Sequence, residues 1–151
     1  MVRFVIYADK AEDIEGLDAL IRDAVCARGE WPFVQRFIGA ESLPRYLTYV
    51  RWNPCLVMVV SASGDRGCEV AAQIRENNPN ARMLWFSGTD NGVYSYSLHV
   101  TYFGLLPATR EKIELALDLC RINPQQRMAG SSESVAQSTL SAINLPIIIC
   151  T

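Results

Sequence analysis

The sequence predicts an α/β fold: a doubly wound, five-stranded parallel sheet with helices on both faces, in three layers. Three observations carry this. Five short apolar runs alternate with five stretches of helical periodicity. The third run, residues 55–60 (CLVMVV), is apolar throughout, as a strand buried on both faces must be. And 151 residues, 50% of them hydrophobic, suit one domain with a real core.

The elements follow in order. Residues 3–9 (RFVIYAD) are rich in β-formers, end on an acid and read as a buried strand. Next, Ile14, Leu17, Leu20, Ile21, Ala24 and Val25 recur at helical spacing; acids crowd the first turn and Gly29 ends it. Residues 31–39 (WPFVQRFIG) form a more mixed strand. Ser42 as N-cap and Pro44 in the first turn predict a helix over 42–52. After the third strand, the loop SASGDRG leads to a helix over 68–77 with Val70, Ala71 and Ile74 inward. Residues 81–87 (ARMLWFS) are the fourth strand. Residues 91–100 are a weak helix, its propensity lowered by Gly92 and two serines. Residues 101–106 (TYFGLL) are the fifth strand, and Thr109 caps an amphipathic helix over 109–120, buried through Ile113, Ala116 and Leu117.

The texture changes near Asn123. The expected domain is 1–122. Residues 123–151 read as a polar, Gly/Ser-rich linker followed by an apolar tail (TLSAINLPIIICT), either an added strand or the start of a following domain.

Bulk properties exclude several function classes. Net charge is −2 with both signs interspersed, so nucleic-acid binding by this domain is not expected. No apolar run approaches the roughly 20 residues of a membrane helix, and the N-terminus is too short in apolar residues for a signal peptide. The five cysteines form no C-x-x-C pair and mostly lie in apolar segments, which predicts buried, reduced thiols and a cytoplasmic location. SASGDRG lacks the lysine of a phosphate-binding loop, so no nucleotide is expected.

Three landmarks in this order carry a resemblance. GCEVAAQIRENNP follows the third strand, LWFSG ends the fourth in Ser87 and a small residue, and YFGLLPATREKIELAL spans the fifth strand, a Leu-Pro turn and the last helix. Over residues 3–120 the chain resembles the receiver domain of two-component response regulators, a CheY-like and flavodoxin-like fold. With VRWNPCLVMVV before the third strand, it is most similar to receivers that precede LytTR-type DNA-binding domains. The resemblance implies a phosphorelay site: a carboxylate nucleophile at the end of the third strand, acids after the first strand for Mg²⁺, a Ser or Thr after the fourth that reads phosphorylation, and a Lys before the proline after the fifth. Matched residue by residue, the acid pair is Ala8-Asp9, the nucleophile position falls on Val59 or Val60, the switch position is Ser87, and the Lys position is Leu106. Asp9 and the loop residue Asp65 remain as a relic acidic pocket. Without nucleophile, metal cage or counter-ion, phosphoryl transfer has no parts to run on.

The expectation is therefore a pseudo-receiver: no enzyme, no catalytic residue, no metal and no cofactor, acting in signalling or transcription regulation through protein contact. The resemblance places the usual dimer or output face around Tyr94, Tyr96, Tyr102 and Phe103, and implies a homodimer or another protein partner, with a DNA-binding output domain following the chain in the full gene. The alternative is a flavodoxin-like binder of a small ligand, but the loop ADKAEDIE after the first strand is acidic and would repel phosphate.

Overall fold

In the computed structural model, which describes residues 1–53 and 55–123, five strands pair in parallel. They are β1 (Val2–Ala8), β2 (Pro32–Ile38), β3 (Val57–Ser61), β4 (Arg82–Ser87) and β5 (Tyr102–Leu105), in the order β2-β1-β3-β4-β5. The helices are α1 (Ala11–Ala27), α2 (Leu43–Trp52, preceded by a 3₁₀ turn at Ala40–Ser42), α3 (Gly64–Asn77), α4 (Gly92–Ser97) and α5 (Arg110–Leu119). This is the doubly wound α/β/α arrangement that the alternation predicts.

Strand alternation divides the interior into two cores. Phe4, Ile6, Val57, Val59, Leu84 and Phe86 meet α1 and α5 on one face. Val5, Tyr7, Met58, Val60, Met83 and Trp85 meet α2 and α3 on the other. Every residue of β3 is buried. Trp85, wholly buried, donates its indole N–H to the Ala62 carbonyl at 2.9 Å. Gly67 packs against that same peptide: a Cβ there would fall on the Ala62 carbonyl and 3.2 Å from the Trp85 ring.

Several local expectations change. Ser42 stands at the N-cap position of α2, but its hydroxyl donates back to the Gly39 carbonyl at 2.8 Å and caps no helix N–H. Thr109 does cap α5, accepting the Lys112 N–H at 3.3 Å. Helix α3 starts at Gly64, not Cys68, so most of SASGDRG is helix. β3 runs on to Ser61, and α4 is only six residues long. The thiols are not uniformly buried: Cys26 and Cys55 are exposed, Cys68 is half-buried, and Cys120 is buried, with its pKa pushed up to about 12 by loss of solvent. Cys150 and nearly all of the expected linker and tail lie outside the described residues.

The turn after α5 is fixed from below. Arg28, just past α1, has a side chain only 2% exposed. Its guanidinium pairs with Glu114 at 2.6 Å and Asp118 at 2.9 Å, and donates to the carbonyls of Glu114 and Ile122. In return, the Asn123 side-chain amide donates to the Arg28 carbonyl. Burial would raise the Glu114 carboxyl, but hydrogen bonds from Arg28 and Arg110 outweigh it and hold the group below its usual range.

Candidate functional site

In a sheet of this topology the place for chemistry is the crevice at the carboxyl ends of the strands. Four loops meet there, following β1, β3, β4 and β5. The last residue of the central strand is Ser61, level with Ala8 on β1 and Phe86 on β4. Val59 and Val60 lie inside the strand, both wholly buried, Val59 in the core under α1 and α5 and Val60 in the opposite one. The strand-end position expected at one of these valines is thus filled by Ser61. SASG reads as loop because its residues have weak preferences, and only the pairing register extends the strand. Ser61 is 2% exposed and its hydroxyl has no hydrogen-bond partner. By alternation it faces the same side as Val59, Ala8 and Phe86, where Leu106 also packs.

Asp9 is not free. It accepts a hydrogen bond from the Tyr7 hydroxyl at 2.8 Å and faces Arg66 Nε at 3.6 Å, while Arg66 Nη2 donates to the Tyr7 oxygen at 3.0 Å. Burial raises the Tyr7 pKa, and the Asp9 hydrogen bond and charge add to this. The hydrogen bond to Tyr7 leads the causes that hold Arg66 more firmly protonated than usual. Arg66 comes from the first turn of α3. A protein cation thus sits against Asp9, the acid directly after β1. Sequence reasoning missed Arg66 because it placed this segment in a loop.

Asp65, its neighbour, is exposed, lies in the first turn of α3 and lines a groove with Glu69 and Tyr94. Asp9 and Asp65 therefore belong to different features, and no cluster of three metal-ligating side chains occurs among the described residues.

Ser87 is wholly buried. Its hydroxyl donates to Asn91 Oδ1 at 2.8 Å and accepts the Thr89 N–H at 3.1 Å. Thr89 Oγ1 in turn accepts the N–H of Gly64 at 2.8 Å, and Ser63 Oγ accepts the N–H of Gly88 at 2.7 Å. These bonds tie the loop after β4 to the start of α3 and occupy the N–H groups of Gly64, Gly88 and Thr89. On the fifth-strand side, Leu106 is half-buried against the α1/α5 core and precedes Pro107 through a cis peptide. The nearby cation, Lys112 of α5, is spent on the carbonyls of Leu105 and Pro107.

The aromatic group divides. Tyr102 meets Phe86 at a tilt, ring centroids 5.7 Å apart, on one face of the sheet, and Phe103 meets Trp85 edge-on at 5.2 Å on the other. Tyr94 reaches the same Trp85 at 6.5 Å. Tyr96 instead projects into solvent, 83% exposed, beside Val93 at 89%. With Leu105, Leu115 and Leu119, each about half exposed, these form apolar surface on α4, β5 and α5.

No family model and no curated protein matches the chain. Solved structures do. A response regulator receiver domain protein from Clostridium thermocellum superposes with a TM-score of 0.59 at 12% identity, covering 85% of this chain and 99% of that one. The signal receiver domain of the response regulator NarL from Mycobacterium tuberculosis gives 0.56 at 23% identity, covering 79% and 94%. The receiver domain of NtrC4 from Aquifex aeolicus gives 0.53 at 18%, covering 81% and 96%. The fold is that of the response regulator receiver domain. Among the described residues no helix is long and apolar enough to cross a membrane.

Proposed function

We propose that this chain, built on the receiver fold, is a signalling domain that works without phosphorylation and without catalysis, through protein contact. One observation carries the reading: the charged and polar groups that would meet a phosphoryl group or metal in the strand-end crevice are either held by internal partners or replaced by the uncharged residues Leu106 and Ser61. Asp9 is held by Tyr7 and Arg66, Ser87 by Asn91 and Thr89, and the N–H groups of Gly64 and Gly88 by hydroxyls. Leu106 stands where the resemblance asks for Lys, and Ser61 where it asks for a carboxylate. A neutral serine hydroxyl with no base beside it is a poor phosphoryl acceptor. In this reading the output is self-association or the holding of an effector through the apolar surface of α4, β5 and α5, by constitutive docking or a shift of populations. The expected assembly is a homodimer.

The test is an amide NMR titration with Mg²⁺ and then beryllofluoride, a phosphoryl mimic. No saturable shifts at Asp9, Ser61, Ser87 or Leu106 at millimolar ligand are expected. Saturable shifts centred on those residues would mean that the crevice still takes a phosphoryl group.

A further inference from the structure

Helix α3 turns one stripe to the core, through Gly67, Val70, Ala71 and Ile74. The opposite stripe holds Asp65, Glu69, Ala72 and Glu76, at spacings of four, three and four residues. With Tyr94 of α4 and Cys68 it lines a groove of about 560 Å³. Gln73 completes the lining, which thus combines Ala72, Cys68 and the Tyr94 ring with three exposed carboxylates.

Asp65 suits the first turn of the helix, but the two glutamates are placed against local preference. Asp65 and Glu69 are like charges at i and i+4, which weakens a helix. Glu76 lies in the last turn, against the negative end of the helix dipole. None of the three has an ion-pair or hydrogen-bond partner among the described residues. The two arginines of α3 are drawn away: Arg66 goes to Asp9 and Tyr7, and Arg75 donates to the carbonyls of Leu98 at 2.8 Å and His99 at 3.0 Å. The helix carries two arginines against its three acids, yet the fold sends both cations elsewhere and leaves one face at three negative charges. Violations of local rules without internal compensation are expected where a partner supplies the compensation.

We infer that the α3–α4 groove is a docking site for a basic amphipathic helix of a partner protein. Apolar side chains of the partner would cover Ala72, Cys68 and Tyr94, and its Lys or Arg residues would meet Asp65, Glu69 and Glu76. From Asp65 to Glu76, twelve residues of α3 rise about 16 Å at 1.5 Å per residue, which matches roughly three turns of an apposed helix. Val93 and Tyr96, exposed on α4 next to Tyr94, supply further apolar contact. This names a partner chemistry for the contact function proposed above and rests on that reading, but it involves none of the crevice residues Asp9, Ser61, Ser87 or Leu106.

The probe is a synthetic helical peptide with Leu at i, i+3, i+4 and i+7 flanked by Lys and Arg, titrated into the full chain with amide shifts as readout. Saturable shifts confined to residues 64–77 and 92–97 are expected, weakening with added salt. Affinity should fall about tenfold or more in Glu69→Lys/Glu76→Lys and by less in Glu69→Gln/Glu76→Gln. Both pairs are exposed, and an unchanged thermal melt checks the fold. The inference is overturned by no binding, by shifts centred elsewhere, by charge-reversed protein that binds equally well, or by equal binding of a scrambled peptide of the same charge. A crevice that responds to beryllofluoride would remove the phosphorylation-independent reading and leave the groove result standing.

Discussion

Arg28 shows how much one side chain can hold. A guanidinium with almost no exposure is tolerable only because two carboxylates and two carbonyls meet it. Arg28→Met leaves those acceptors facing an apolar chain and should cost about 3–5 kcal/mol in denaturant unfolding. The pH dependence follows from the depressed Glu114 carboxyl. A group whose folded pKa lies below its unfolded one stabilises the fold above the unfolded value, near 4.5, and that contribution disappears as pH falls through the lower folded value. Glu114→Gln should flatten the acid limb of a stability-versus-pH curve below pH 4.5 and lower the plateau above it; a parallel acid limb in the variant would reject this assignment. Gly67 is the opposite case, a position defined by what it lacks. Gly67→Ala sets a methyl group on the Ala62 carbonyl and should destabilise by about 1–3 kcal/mol, read as a lower melting temperature.

At the scale of elements, the outer surface of α4 is the clearest case for mutation. Its exposed Val93 and Tyr96 touch neither core, so Val93→Asp/Tyr96→Ala should leave stability within about 0.5 kcal/mol of the parent. If the face is a dimer contact, the same variant should sediment as a monomer where the parent does not; an unchanged sedimentation profile of a dimeric parent would move the contact elsewhere. The five strands and five helices among the described residues were legible in the sequence, most of them because their apolar periodicity matches the face that they bury. The junction between β3 and α3 was not. Ser61, Ala62, Ser63 and Gly64 have little intrinsic preference, and what makes them strand end and helix start is tertiary: the pairing of Ser61 with Ala8 and Phe86, and the Thr89 hydroxyl on the Gly64 N–H. The site inherited that blind spot. Leu106 and Ser87 could be placed from their neighbours Pro107 and Gly88, whereas the Arg66–Asp9 pair depended on where the helix began. Arg28 was equally invisible, since its partners lie 86 and 90 residues away.

For the molecule as a whole, polar partners are distributed unevenly between its two ends. The carboxyl ends of the strands are closed by short hydroxyl bonds and one Arg–Asp contact, whereas the amino ends are closed by arginines, with Arg82 donating to the Cys120 carbonyl as Arg28 does to that of Ile122. Helix α5 runs between them, secured near its start by Thr109 and Lys112 and beyond its end by Arg28 and Asn123. In mechanical terms it is a guyed strut. Tension drawn along the chain beyond residue 123 enters α1 and β4 sideways through guanidinium bonds, as shear, before it can peel α5 one turn at a time. A pull from that end therefore loads the sheet, α1 and α5 together.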